Sequence, residues 1–194
     1  MRRGFKAEAE RHAAAIRKRL RCGENDPVPL EAYAEDLGVA MVPADRLVPL
    51  ERLQGLQDLQ ADAFSAATFK LASGRRVVVY NPLHTPGRTR SNQAHELAHI
   101  SLGHTLRTVE KVGEMSFVTC DVEQEEEADW LGGCLLLPRS VLLQAAYKDK
   151  TPAQIAEENG TSEAMARFRL NASGVLVQVG RSRAAKGGAR SRQA

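Results

Sequence analysis

Residues 92 to 104 read NQAHELAHISLGH and hold His95, Glu96, Leu97, Ala98 and His99, a His-Glu-x-x-His core. On a helix, side chains four apart stand one turn above each other, so His95 and His99 can present two imidazoles to one metal ion. Glu96 lies beside them as a base. In this arrangement zinc lowers the pKa of a bound water and the carboxylate takes its proton. The bland alternative is a pair of histidines sharing the polar face of an amphipathic helix. The flanks argue for a partly buried helix: Thr85-Pro86 suits an N-cap and first helical residue, Gly103 a stop, and Ala94, Leu97, Ala98 and Leu102 an apolar stripe. A His-Glu pair on such a helix has little structural purpose, because burying ionisable groups costs free energy unless something pairs with them.

A catalytic zinc site needs a third protein ligand and one open position. The longer pattern His-Glu-x-x-His-x-x-Gly-x-x-His would need glycine at 102 and histidine at 105, where Leu102 and Thr105 stand; His104 is out of register. Cys22, Cys120 and Cys134 show no paired spacing. The remaining source is the acidic run at residues 123 to 130, EQEEEADW, which opens a second helical pattern ending at Leu135-Leu136-Leu137-Pro138. Ala128, Leu131, Gly132 and Leu135 define its inward stripe, and Glu125 and Asp129 fall on an adjacent flank, one turn apart. One of these carboxylates can bind metal while the other orients a ligand imidazole. Gly132 and Gly133 would let another helix approach closely, at a helix-propensity cost of about 1 kcal/mol each. Glu126 and Glu127 point elsewhere. The plain alternative is a solvated acidic helix start, favoured by the helix dipole.

These residues resemble the ImmA/IrrE family of metallopeptidases. The resemblance rests on Ser65-Ala66, the strand-like Val77-Val78-Val79-Tyr80-Asn81-Pro82, the segment from Arg88 to Ser91, the His95 to His99 core, and the Glu125-x-x-x-Asp129 helix running into Pro138. Ala98 stands where the family often has glycine, a small-for-small change. What the resemblance implies is a thermolysin-like zinc site, with His95, His99 and Glu125 as metal ligands and Glu96 as general base. It also implies a narrow substrate: a cytoplasmic transcriptional repressor, often of a mobile element or stress regulon, or an antitoxin-like partner encoded nearby.

With 194 residues, 43% of them hydrophobic and 26% charged, the chain has enough apolar material for one modest domain and a small appendage. No stretch approaches the roughly eighteen apolar residues of a membrane span, and the N-terminus lacks a hydrophobic secretion segment, so a soluble cytoplasmic protein is expected. Three scattered cysteines suit a reducing compartment better than a disulfide scaffold, with Cys134 a small core residue.

Residues 5 to 22 form an amphipathic helical pattern with Phe5, Ala9, Ala13, Ile16 and Leu20 on one stripe; His12 lies off it and is expected to be solvated. A short helix over 30 to 37, a strand over 39 to 42, and an uninformative leucine-rich stretch over 45 to 60 follow. Residues 63 to 71 and 75 to 80 read as strands joined through Ser73-Gly74, the Val77-Val78-Val79 run suiting a strand buried on both faces. One of the two strands is a candidate to bind substrate backbone by strand addition. Tyr80 and His84 are candidates to donate hydrogen bonds to an oxyanion, although a strand-end aromatic or a loop histidine is more often structural. The polar stretch 105 to 122 is long for a loop and is expected to be a lid or a hidden strand, with Met115, Phe117 and Val118 as anchors.

Downstream, Thr151 as a cap, Gly160 as a breaker and Thr161 or Ser162 as the next cap spell a helix-turn-helix-like hairpin. Its second helix carries Glu163, Arg167 and Arg169, only mildly basic, which favours packing on the catalytic domain over reading DNA. The last stretch holds Arg181, Arg183, Lys186, Arg190 and Arg192 without an acid, more than the whole formal net charge of +3, and is expected to be a disordered basic tail. The expectation is therefore an α+β zincin-like catalytic domain, a small sheet packed on helices, over residues 1–146. A helix-turn-helix-like hairpin over 147–180 and a tail over 181–194 complete it. Functionally, a zinc-dependent endopeptidase is expected, with His95, His99 and Glu125 on Zn2+, Glu96 as base and Asp129 steadying an imidazole. Its rival is a non-catalytic regulator that docks a repressor or DNA around a structural zinc, but such a site usually closes its fourth position with a protein ligand.

Overall fold

The computed structural model describes residues 1–60, 64–105, 108–112, 115–119 and 121–190, with side chains described outside 106–120 and 186–190. The first apolar stripe forms helix α1, Phe5–Arg19, and buries Phe5, Ala9, Ala13 and Ile16 almost completely. Each large side chain hidden this way contributes about 1.5–3 kcal/mol. His12 is half-buried, its Nε2 lying 3.4 Å from Ser101 Oγ, where the sequence favours a solvated ring. Helix α2, Leu30–Asp36, leads through Gly38 at φ 66° into strand β1, Val39–Pro43. The leucine-rich stretch becomes a 3-10 turn, Ala44–Arg46, and helix α3, Leu50–Leu59.

Strands β2, Ala66–Lys70, and β3, Arg76–Tyr80, form a hairpin whose turn is closed by Gly74 at φ 82°. The sheet order is β1-β3-β2, with β3 parallel to β1 and antiparallel to β2. The central place of β3 accounts for its valine run: Val78 enters the main core while Val79 packs with Ala44 and Leu53 on the opposite side. Strand β2 pairs with β3 on one side and forms an edge of this sheet.

Helix α4, Pro86–Leu102, has Pro86 in its first turn and ends at Gly103 with φ 68°. Thr85 holds the N-cap position without a side-chain capping bond. The stretch 105 to 122 supplies two strands, β4, Thr108–Val112, and β5, Met115–Thr119, which pair antiparallel. The side chains expected as its anchors, Met115, Phe117 and Val118, lie outside the described residues, as does Cys120. Helix α5, Val122–Leu136, is capped by Asp121, which accepts from the Glu123 and Gln124 amides.

Helices α6, Arg139–Tyr147, α7, Pro152–Asn159, and α8, Glu163–Ala172, follow. Thr151 and Gln154 form a capping box, Gly160 takes φ 60°, and Ser162 Oγ accepts from the Met165 amide. The α7–α8 turn docks on the start of α4: Ser162 N donates to Ser91 Oγ at 2.9 Å, and a Cβ added to Gly87 would sit 2.2 Å from the Thr161 carbonyl oxygen. Arg169 is fully buried, donating to Glu10 at 2.6 Å and to the Leu137 carbonyl at 3.2 Å. One core cluster runs from Phe5 to Val179, so the hairpin shares the core of the residues before it.

Helix α9, Val175–Arg190, carries helical backbone past Arg181, where a disordered tail is expected. Val175 and Val179 are buried, and Arg183 pairs with Asp149 at 2.9 Å, so the helix is anchored on one side and tied on another. Residues 191–194, including Arg192, lie outside the described residues, as do the side chains of Lys186 and Arg190. No helix among the described residues is long and apolar enough to cross a membrane.

Candidate metal centre

The site forms where α4 and α5 cross. Ala94, Leu97 and Ala98 are fully buried on α4, facing Ala128, Leu131 and Leu135 of α5 in the same core, which turns His95 and His99 to the flank of the contact. Gly132 sets the spacing. A Cβ there would lie 3.2 Å from the backbone of Ala94 and His95, tighter than most side chains tolerate, so glycine at 132 lets the helices sit at this distance without displacement. Gly133 faces Arg169 instead, its added Cβ falling 2.4 Å from Arg169 Cδ.

Glu125, near the start of α5, is thereby brought to both histidines. His95 Nε2 lies 3.0 Å from His99 Nε2 and 3.3 Å from Glu125 Oε2, and His99 Nε2 lies 3.6 Å from Glu125 Oε1. Ligands about 2.0–2.1 Å from a tetrahedral zinc ion are about 3.3 Å from one another, so the spacing of these atoms fits that ion with small adjustment. Among the described residues they form the group of donors that could hold a metal, within 4.8 Å of one another.

The second carboxylate of the pair, Asp129, takes the other side of the ring: its Oδ1 is 2.8 Å from His95 Nδ1. Burial works against an imidazolium at His95, but Asp129 and Glu125 outweigh it and raise the pKa to about 9. A site that draws a proton this strongly without metal has the electrostatic character of a cation site, and metal binding there displaces protons.

Glu96 lies beside the donor group without belonging to it, near enough for its charge to favour the His95 imidazolium. It is buried, and Thr68 Oγ1 on β2 donates to its Oε2 at 2.6 Å, which ties the carboxylate to the edge strand and leaves Oε1 for other partners. His84 is buried in the β3–α4 connection, with Nε2 3.5 Å from Asn81 Nδ2 and Nδ1 3.4 Å from Asn92 Nδ2; it is not part of the metal-capable group. Tyr80 closes β3, opposite Pro43 and Ala66. Cys134 is fully enclosed, and burial pushes its thiol pKa up.

Two residues set aside in the sequence reappear beside the centre. His104 Nδ1 lies 2.9 Å from His99 Nδ1, and His104 Nε2 lies 3.5 Å from Glu127 Oε2. Helical spacing excludes His104 as a ligand but says nothing of a residue beyond the helix stop. Thr68 gave no signal at all, since its role depends on a contact between residues 28 apart.

A family model described as the IrrE N-terminal-like domain of peptidase family M78 matches residues 51–171, more than half of the chain. No curated protein and no solved structure gives a significant match. The matched span contains the β2–β3 hairpin, both site helices and the α7–α8 hairpin up to Asn171. The chain therefore belongs to the ImmA/IrrE (M78) family of metallopeptidases, which implies a zincin-like fold and metallo-endopeptidase activity.

Proposed function

We propose that the protein is a zinc-dependent endopeptidase that cleaves an intracellular protein partner of the transcriptional-repressor or antitoxin-like kind. The observation that carries the reading is the convergence of His95, His99 and Glu125 on one point, with Glu96 on the same helix. Two imidazoles and a carboxylate suit zinc and leave room for a fourth, exchangeable ligand. When bound, zinc would supply a water of lowered pKa and polarisation of the scissile carbonyl. Glu96 accepts the proton of the attacking water and passes it to the leaving amine. Asp129 holds His95 with Nε2 toward the donor group. Tyr80 and His84 are the candidate donors to the oxyanion. Extended substrate aligns along β2, the edge strand that carries Thr68 next to the base.

The hairpin supports catalysis through structure. The start of α8, which in a DNA-reading hairpin enters the groove, is packed on α4; Arg169 is buried, and Arg167 is paired with Glu163. In this reading residues 1–146 are catalytic and 147–180 are a hairpin that braces them through the core they share.

Incubating the zinc-loaded chain with the product of a neighbouring repressor-like gene tests the reading. Fragments are expected from the wild type, and a loss of about 10²- to 10⁴-fold in rate from Glu96→Gln at unchanged zinc content. Cleavage by Glu96→Gln at the wild-type rate would remove Glu96 from its role.

A further inference from the structure

We propose that His104, backed by Glu127, is a positioning residue that fixes His99 as an Nε2 ligand; the inference rests on the metal reading of His95, His99 and Glu125. The Nε2 atoms of both ligand histidines point at each other and at Glu125, so each Nδ1 faces outward. An imidazole that binds metal through Nε2 carries its proton on Nδ1, and that N–H needs an acceptor to hold the ring's tautomer and rotation. For His95 the acceptor is Asp129. For His99 the group in place is another imidazole, the Nδ1 of His104, at 2.9 Å.

His104 can accept at Nδ1 only when its own proton sits on Nε2. That side faces Glu127 Oε2 at 3.5 Å, and both side chains are nearly buried, 8% and 11% exposed, so water competes poorly for either. The other oxygen of Glu127 lies 3.4 Å from the Arg2 guanidinium. With His99 Nδ1–H donating to His104 Nδ1 and the His104 Nε2–H turned toward the Glu127 carboxylate, an ion-pair contact at 3.5 Å, one proton assignment serves both rings. Local backbone makes it reachable: Gly103 ends α4 in the left-handed region, and the His104 amide returns to the His99 carbonyl at 3.0 Å, which folds the ring back beneath His99. The two ligands are thus braced differently, His95 by a carboxylate directly and His99 through a relay.

Zinc affinity of the full chain, measured by competition with a chromophoric chelator, tests the assignment in the wild type, His99→Ala, His104→Ala, His104→Asn and Glu127→Leu. Loss of binding is expected for His99→Ala. A weakening of about 10- to 100-fold is expected for His104→Ala, the range for a group that orients a ligand. His104→Asn should recover most of it, because its amide oxygen can stand near the place of Nδ1 and accept. Glu127→Leu should fall between. A second measurement needs no variant: nitrogen-15 spectra of the zinc-loaded wild type should show His99 protonated at Nδ1 and His104 at Nε2. Wild-type affinity in His104→Ala beside lost binding in His99→Ala overturns the relay alone, as does His104 protonated at Nδ1 or an Asn variant no better than Ala. Equal binding by wild type and His99→Ala overturns the metal reading itself and the relay with it.

Discussion

The two ends of α4 are held by different physics. At its C-terminal end the helix meets α5 through rings and carboxylates, His95 with Glu125 and Asp129, and His99 with Glu125 and His104. At its N-terminal end it meets the α7–α8 turn through a close backbone approach, Gly87 against the Thr161 carbonyl, and one uncharged hydrogen bond from the Ser162 amide to Ser91 Oγ. The contacts at the first end depend on protonation, whereas a close backbone approach and an uncharged hydrogen bond do not. The catalytic end can therefore be tuned by charge, while the other end fixes where the helix stands.

The contrast breaks most clearly at Asp129. Asp129→Asn keeps an oxygen for the His95 Nδ1–H but removes the charge that helps raise this imidazole to about 9. In the metal-free wild type the raised pKa means that the stabilising contribution of His95 is full below its ordinary value near 6.5 and is lost as pH rises through about 9. Because Asp129 is 56% exposed, solvent screening discounts the full shift, and the Asn variant should lose about 2 kcal/mol of low-pH stability. Denaturant titrations of the chelated protein at pH 6 and pH 9.5 measure this. A difference between the two pH values as large as in the wild type would mean that Asp129 does not control His95.

At the opposite end the change is steric. Gly87→Ala places a methyl group 2.2 Å from the Thr161 carbonyl oxygen, a backbone atom that cannot swing aside. The expected cost is about 1–3 kcal/mol, the range for overpacking, set against a gain of about 1 kcal/mol in helix propensity. The net loss should be nearly independent of pH and accompanied by faster hydrogen exchange in α7 and α8. A stabilised variant with unchanged exchange would show that the hairpin does not bear on α4.

The same contrast explains what could be read in the chain. The donor group of His95, His99 and Glu125 was legible because a helix imposes its period on neighbours in sequence, and Gly132 because a glycine on a buried stripe implies close approach. The valine run showed a strand covered on both sides, which the central place of β3 explains. His104 is out of helical register with His95 and His99, yet Gly103 ends the helix before it, so the register does not govern where its ring goes. Gly87 and Thr68 were silent, since each acts through a partner far along the chain. Composition alone points to disorder beyond Arg181, but Val175 and Val179 anchor α9 in the core and Arg183 finds Asp149, contacts that composition does not register.

The smallest effect tests the link between the edge strand and Glu96, the proposed base. Thr68 donates to Glu96 Oε2 at 2.6 Å from a strand that pairs on its other side with β3, so one hydroxyl joins the position of the carboxylate to the position of β2. Val is close in volume to Thr and keeps the strand preference, so Thr68→Val removes the hydrogen bond with little change in packing. A neutral donor to a charged acceptor in a part-buried place is worth about 1.5 kcal/mol, a loss of about tenfold in kcat if the bond orients Glu96 during proton transfer. Zinc affinity should not change, because Thr68 touches none of the donor atoms. If KM rises while kcat holds, the hydroxyl serves the strand that receives substrate rather than the base, and the coupling between them lies in the backbone of β2.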